Sequence, residues 1–202
     1  MIALMVISCS FGQRDPLMTF TKKHFRSNPF ERSFGDFVAH VVNDPQLTNK
    51  KTIYKTDSTL FVFTGTYSDF NPFGFKPQRV DVALVEQNVV MYEGRPQGDT
   101  IMLYILIAYG DTARKGLADV KKEYNRLNRR NSRMFMEAKE EDLGVANMTG
   151  AISNYFVNYA QMSPLSIEWI AGLVQQPILR VTLRIRSRGN ETVLPMSLYD
   201  AQ

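Results

Sequence analysis

The sequence predicts an α+β fold in which two or three helices pack on one face of a mostly antiparallel sheet. Two observations support this class. Apolar residues recur at helical spacing in some segments and alternate with polar residues in others, as in strands. The helical and strand segments are grouped along the chain and do not alternate with one another. Their order is one helix, four strands, two helices and two or three strands. A doubly wound α/β fold alternates strands with helices, so we expect one antiparallel sheet built from both strand groups.

The 202 residues suit a single domain, because no long Pro-, Gly- or Ser-rich linker interrupts them. We assign residues 1–12 to a signal or lipoprotein segment, residues 13–28 to a tether and residues 29–202 to one α+β domain. The tether is assigned because this stretch is polar and is interrupted by Pro16.

The opening residues, 1–7, are apolar but too few to span a membrane as a helix. Residues 6–9, Val-Ile-Ser-Cys, resemble a bacterial lipobox, in which the cysteine receives a lipid before cleavage. Residues 10–12, Ser-Phe-Gly, resemble an ordinary signal peptidase site, and cleavage there removes Cys9. A buried strand that holds Cys9 is the third alternative. We expect export with lipidation of Cys9, which places the protein in the bacterial envelope, at the outer membrane or in the periplasm.

The first element of the domain is a helix that begins at Pro29, with Asn28 as its N-cap, and ends before Asn43. Strand-like segments rich in β-branched and aromatic residues follow at residues 52–55, 59–67, 79–92 and 100–109. Residues 101–108 are apolar without interruption, which predicts a central strand covered on both faces.

Two further helices are expected in the second half of the chain. The first spans about residues 112–133, with Asp111 or Thr112 as its cap, and the second covers residues 152–160. Between them, residues 134–147 hold an acidic cluster that we assign to a solvated segment. Alternating apolar residues at 165–169 and 179–185 then predict the last strands.

The strongest functional signal is the cationic face of the helix at residues 112–133. Eight Lys and Arg residues lie there against two acidic residues, and most of the cations lie opposite the apolar stripe. Such a face suits an anionic partner, although long cationic side chains also solvate helices without any binding role. The candidate binding residues on this face are Lys122, Arg126, Arg129, Arg130 and Arg133.

A second cationic row is predicted on the strand at residues 179–188. Arg180, Arg184 and Arg186 share one strand face, because side chains two residues apart point the same way. Arg in place of Lys indicates bidentate pairing with a carboxylate or a phosphate. The partner is either an anionic ligand or a carboxylate of the same chain, for which the candidates are Glu86, Glu93 and Glu168.

A loop that contains Phe70, Phe73 and Phe75 together with Pro and Gly is the third candidate site. Aromatic side chains in a surface loop can contact a partner, a sugar or a bilayer interface. The alternative is that these rings fold back over the core.

Several chemistries are excluded or unsupported. The chain carries no phosphate-binding glycine loop, no zinc-protease motif and no nucleophile elbow. One Cys and two His cannot form an all-cysteine or a paired Cys and His zinc site, so we assign no metal and no cofactor. We assign no catalytic residue, because carboxylates such as Asp81 and Glu86 cannot be placed across a cleft from sequence.

The net charge of +4 favours anionic partners. We therefore predict a non-enzymatic envelope lipoprotein that acts as a binding or assembly module through its basic surface. The expected partner is an acidic protein or an anionic envelope component, with a lipid anchor in the membrane. The alternatives are an enzyme of unknown class acting on an anionic substrate and a cytoplasmic nucleic-acid-binding domain. Nucleic acid is disfavoured, because no stacking aromatics interleave with the basic helix face.

Overall fold

The computed structural model describes residues 15–54, 61–88, 91–92, 95–96, 100–144, 147–157, 163–172, 176–187 and 194–195. The predicted signal segment, Cys9 and the side chain of Arg186 therefore lie outside the described residues.

The described chain contains three α-helices: α1 (Pro16–His24), α2 (Phe34–Val42) and α3 (Arg114–Asn131). Its strands are β1 (Leu47–Tyr54), β2 (Phe61–Tyr67), β3 (Arg79–Asn88), β4 (Met91–Tyr92), β5 (Arg95–Pro96), β6 (Thr100–Tyr109), β7 (Glu137–Asp142), β8 (Met148–Phe156), β9 (Leu165–Gly172), β10 (Ile178–Ser187) and β11 (Leu194–Pro195). The predicted α+β class with a mostly antiparallel sheet is confirmed.

The main sheet has the strand order β1-β2-β3-β6-β10-β9-β8-β7, and β11 pairs with β10. Every pair of neighbouring strands in it is antiparallel. The strands that precede α3 and the strands that follow it thus form two meanders, which join where β6 pairs with β10. As expected, the two strand groups build one sheet.

Helices α1 and α2 cover the part of the sheet around Tyr104 of β6. The Tyr104 ring lies 4.6 Å from the ring of Phe25, which follows α1, and 5.2 Å from the ring of Phe37 in α2. All three residues are buried. The aromatic contacts therefore fix both N-terminal helices on this face.

Helix α3 lies on the same face of the sheet. Its Tyr124 hydroxyl is 2.7 Å from the Ser153 hydroxyl of β8. Residues paired directly across strands share a face, and the row of paired residues from this point runs Ser153, Ile167, Val181 and Leu106. Leu106 is two residues from Tyr104, so it points the same way. All three helices consequently cover one face, and the other face has no helix among the described residues.

Strand β6 lies in the middle of the sheet, as predicted, and its two faces differ in burial. Its residues on the helix face, such as Tyr104 and Leu106, are fully buried. On the opposite face Ile101 is buried, whereas Leu103, Ile105 and Ile107 are half-buried. We call this opposite side the open face.

Part of the predicted tether is the helix α1. Pro16 is not a breaker here, because it occupies the first turn, where no hydrogen-bond donor is needed. The Asp15 carboxylate caps the helix by accepting a hydrogen bond from the Leu17 N–H at 2.8 Å. Leu17 and Phe20 are buried in the core, so residues 16–24 belong to the folded domain.

Two other predictions about helices need correction. The helix expected from Pro29 is divided into a short 3₁₀ turn, Pro29–Glu31, and α2, which Ser33 caps. Residues 152–156 of the helix expected at 152–160 instead belong to the strand β8, and residues 158–160 lie outside the described residues. Within the acidic segment after α3, residues 137–142 are solvated as expected and form the exposed edge strand β7.

Candidate functional site

A groove of about 1220 Å³ runs along the solvent side of α3. Helix α3 forms one wall, and the loop of residues 70–76, which we call the aromatic loop, contributes the other. The groove is lined by eight cations and two carboxylates: Lys76, Lys115, Lys121, Lys122, Arg126, Arg129, Arg130, Arg133, Asp119 and Glu123. All five candidate residues predicted on the basic helix face therefore line one concave surface.

The cations form a line because of their spacing on α3. Positions 115, 122, 126 and 129 recur at intervals of seven, four and three residues, which places them on one stripe of the helix, and Arg133 follows just beyond its end. The part of this stripe between Lys115 and Arg129 is about 21 Å long at 1.5 Å per residue. The groove thus presents an extended row of positive charge.

The lining also includes apolar surface. Phe75 of the aromatic loop, Ala118 of α3 and Met134, just beyond α3, line the groove between the charged side chains. Phe75 packs against Phe73, with 6.2 Å between the ring centroids. An occupant of this groove therefore meets both cationic and aliphatic or aromatic groups.

Glu123 holds the two walls of the groove together. One oxygen of its carboxylate accepts a hydrogen bond from the Gly74 N–H at 2.9 Å. The same carboxylate accepts hydrogen bonds from Arg126, at 2.7 Å from Nε and 2.6 Å from Nη2. Glu123 is 3% exposed, so this contact between helix and loop is largely shielded from water.

The charge on Glu123 is stabilised in place. Burial opposes ionisation of the carboxyl, but the hydrogen bonds from Arg126 and Gly74 outweigh that effect and lower the pKa of Glu123. The same ion pair raises the pKa of Arg126. Arg126 is therefore neutralised by its own neighbour and contributes less free charge to the groove than the other cations.

Seven of the groove cations have no ion-pair partner among the described residues. They are Lys76, Lys115, Lys121, Lys122, Arg129, Arg130 and Arg133. Lys121 lies over the Trp169 ring, with its Nζ 4.2 Å from the ring centroid. The groove therefore carries a large excess of positive charge that its own carboxylates do not balance.

His24 lies behind the aromatic loop. Its ring is 1% exposed, stacks on Phe20 at 4.4 Å and donates from Nδ1 to the Pro72 carbonyl at 3.2 Å. Burial, followed by the nearby charges of Lys23 and Arg126, lowers the pKa of His24 to about 4. A neutral histidine therefore supports the loop that forms the second wall of the groove.

The three phenylalanines of the aromatic loop have different positions. Phe73 is buried and faces His24, and Phe70 packs on the Tyr67 ring at 4.9 Å, so both fold back over the core. Only Phe75 lines the groove. The alternative that these rings fold back over the core therefore holds for Phe70 and Phe73, and Phe75 both packs against the core and lines the groove.

Arg180 and Arg184 of the arginine row lie on the open face, away from the groove. Arg180 forms an ion pair with Glu168, directly opposite it on β9. The expected pairing of this row with a carboxylate of the same chain is confirmed for Arg180. Arg184 hydrogen-bonds instead to the Ser163 carbonyl at 3.1 Å and to the Ser166 hydroxyl at 3.2 Å.

The structure gives no support for a carboxylate dyad at Asp81 and Glu86. The two residues are five positions apart on β3, so their side chains point to opposite faces. Asp81 is already engaged, since it pairs with Arg79 at 3.1 Å and accepts a hydrogen bond from Thr66 at 2.8 Å. Among the described residues, no group of three or more His, Cys, Asp or Glu side chains is arranged to hold a metal ion.

Within the part of the chain that the structure describes, no helix combines the length and the apolar character needed to cross a bilayer. No family model, no curated protein and no solved structure matches this chain.

Sequence reasoning found the cations of the groove but missed what shapes it. Glu123 and Gly74 are 49 residues apart, and neither carries a motif that indicates their contact. The burial of His24 was also missed, because residues 13–28 were assigned to a tether. One signal in the sequence indicates a helix here: the apolar residues Leu17 and Phe20 are three positions apart and follow Asp15, a residue type that caps helices.

Proposed function

We propose that the groove beside α3 binds an extended acidic segment of a partner protein, and that the chain is a non-enzymatic binding or assembly module. We further propose that it works in the bacterial cell envelope, anchored by a lipid on Cys9. The lipobox-like residues 6–9 support this location. Intact-mass analysis of the native protein tests it, because lipidation adds acyl chains to a chain that begins at Cys9.

The observation that carries the binding proposal is the set of seven cations on one concave surface that have no ion-pair partner in the described part of the chain. Like charges held at close spacing repel each other unless counter-charges lie between them. An acidic ligand supplies those charges and gains several ion pairs at once, next to low-dielectric apolar surface that strengthens them. The paired arginine Arg180 on the open face has no such surplus.

The shape and lining of the groove favour a polypeptide. An extended chain advances about 3.3 Å per residue, so the 21 Å stripe corresponds to roughly six residues. Phe75, Ala118 and Met134 offer contacts for apolar side chains between the acidic ones. A bilayer surface cannot follow a concave groove of this kind. Nucleic acid binding uses exposed stacking aromatics, and Phe75 is the one ring that lines the groove among the described residues.

The test measures equilibrium binding of a fluorescent ten-residue peptide that alternates Glu and Leu, by fluorescence anisotropy at two salt concentrations. The peptide with Gln in place of Glu is the ligand control. We expect saturable binding of the acidic peptide that weakens steeply with salt, and no binding of the Gln peptide.

Two protein variants locate the site. The groove variant carries Lys122→Gln, Arg129→Gln and Arg130→Gln, and the matched variant carries Arg32→Gln, Lys50→Gln and Lys51→Gln at exposed positions outside the groove. Each removes three positive charges from a net charge of +4. The groove variant should lose at least about tenfold in affinity, whereas the matched variant should keep most of it. Equal losses in both variants would show nonspecific attraction and contradict the proposal.

A further inference from the structure

The open face holds a second cationic group that the groove does not explain. Arg180, Thr182 and Arg184 lie on this face of β10, because their neighbours Val181 and Leu183 point to the helix side. Arg180 is engaged with the buried Glu168, which neutralises both charges. Arg184 is therefore the arginine of this row, within the described side chains, whose charge is not balanced.

Arg184 contacts only neutral groups. Its Nη1 donates to the Ser163 carbonyl and to the Ser166 hydroxyl, and no carboxylate of the described residues lies within 4.0 Å of it. The side chain is half-buried, and this burial lowers its pKa while the more distant Glu168 opposes the effect. A guanidinium that has lost part of its hydration without gaining a counter-charge is costly to the folded state.

The Ser166 hydroxyl lies beside this guanidinium, and the hydroxyl-bearing Thr182 is two residues from Arg184 on the same face of β10. Ser166 is directly opposite Thr182 in the pairing of β9 with β10, so the two side chains are neighbours on the open face. Both residues are buried, at 2% and 6% exposure. The Ser166 oxygen accepts the hydrogen bond from Arg184, which leaves its own proton available to a further acceptor. The hydroxyl of Thr182 is a second donor of the same kind.

The neighbouring strand provides an aliphatic border. Leu103 lies directly opposite Arg184 and Ile105 directly opposite Thr182 on β6. Both are half-buried on the open face. Apolar neighbours lower the local dielectric, which strengthens the interaction of Arg184 with an anion.

We propose that Arg184, together with the hydroxyls of Ser166 and Thr182, binds a single oxyanion, the carboxylate or phosphate group of a small ligand, on the open face. A guanidinium offers two parallel N–H donors to such a group, and Nε and Nη2 of Arg184 make no hydrogen bond to the described residues. The adjacent hydroxyls add donors from the side. The site is separate from the groove, since it lies on the other face of the sheet.

The test uses the groove variant, so that anion binding at the groove is weakened and the outcome does not depend on the proposed function. Sodium phosphate and sodium acetate are titrated separately into the ¹⁵N-labelled protein at constant ionic strength. With either anion we expect saturable shifts of the Ser166, Thr182 and Arg184 amide signals. Saturable shifts with only one of the two anions support the proposal and identify the oxyanion that the site prefers. The absence of saturation with both anions overturns it.

Further substitutions in the same background assign the effect to Arg184. Arg184→Met should abolish the shifts, and Lys51→Met, at an exposed position outside this cluster, should leave them unchanged. If Arg184→Met does not fold, Arg184→Lys keeps the charge but loses the paired donors, and the affinity should fall about tenfold or more. Unchanged binding in the Arg184 variant also overturns the proposal.

Discussion

Acidification from pH 7 to about pH 5 should destabilise this protein through His24 before most carboxylates are protonated. His24 is 1% exposed, and burial together with the charges of Lys23 and Arg126 lowers its pKa from the ordinary value of 6.5 to about 4. The unfolded chain therefore binds a proton at His24 between these values, whereas the folded chain does not. Since the unfolded state then binds more protons, the free energy of unfolding falls as the pH falls through this range.

The size of the effect follows from the two pKa values. Below both of them the total loss amounts to about 3 kcal/mol, at 1.36 kcal/mol for each pH unit between them. At pH 5 about 2 kcal/mol of that total is already lost relative to pH 7. This is a large part of the 5–15 kcal/mol that is typical of a folded domain.

The assay is urea unfolding at pH 7, 6 and 5, followed by circular dichroism, and the chain supplies its own control. It has two histidines, and His40 is exposed on α2. His24→Gln should remove the loss of about 2 kcal/mol between pH 7 and pH 5, whatever its effect on stability at pH 7. His40→Gln should retain that loss. A His24→Gln variant with the same pH dependence as the unsubstituted protein would refute the reasoning.

Three substitutions test contacts around the groove and the sheet. Gly74→Ala should cost about 1 kcal/mol in urea unfolding, because the added Cβ comes 2.8 Å from a carboxylate oxygen of Glu123, whereas Gly144→Ala meets nothing within 4 Å and should be neutral. Tyr124→Phe should cost about 1–2 kcal/mol by the same measurement, since it removes hydrogen bonds of 2.8 and 2.7 Å, and no loss would contradict their contribution. Arg180→Met should cost about 2 kcal/mol in urea unfolding, because a buried carboxylate at position 168 loses its partner.

Local patterns in the sequence predicted most of the sheet and the long helix. The segment at 100–109 is rich in β-branched and aromatic residues, and it forms β6 with those bounds. The apolar stripe of α3 predicted its buried side, including Val120, Tyr124 and Leu127. In these elements the pattern along the chain and the environment in the fold agree.

The strand β8 was predicted as a helix for a physical reason. Its inward positions are Ala151, Ser153 and Tyr155, so a buried polar residue interrupts the apolar alternation. Ser153 is tolerated there because its hydroxyl bonds to Tyr124 of α3. That partner comes from a different element, and no pattern within residues 151–155 reveals it.

For the groove, too, sequence reasoning found the local pattern but not the contact between residues distant in the chain. The cationic stripe of α3 is a local pattern, and it was predicted together with its candidate residues. The second wall depends on the contact between Gly74 and Glu123, which only the tertiary fold creates. Sequence reasoning treated the basic helix and the aromatic loop as separate candidates, whereas Phe75 and α3 line one groove.

The most direct test of the central claim maps where an acidic ligand lies on the folded protein. The alternating Glu and Leu peptide is titrated into the ¹⁵N-labelled protein, and the amide shifts are assigned along the chain. We expect the largest shifts in α3 between Lys115 and Arg130 and in the loop around Gly74 and Phe75, with little change on β1 and β2. Shifts spread over all exposed cations, or concentrated away from α3, would contradict the groove as the binding site.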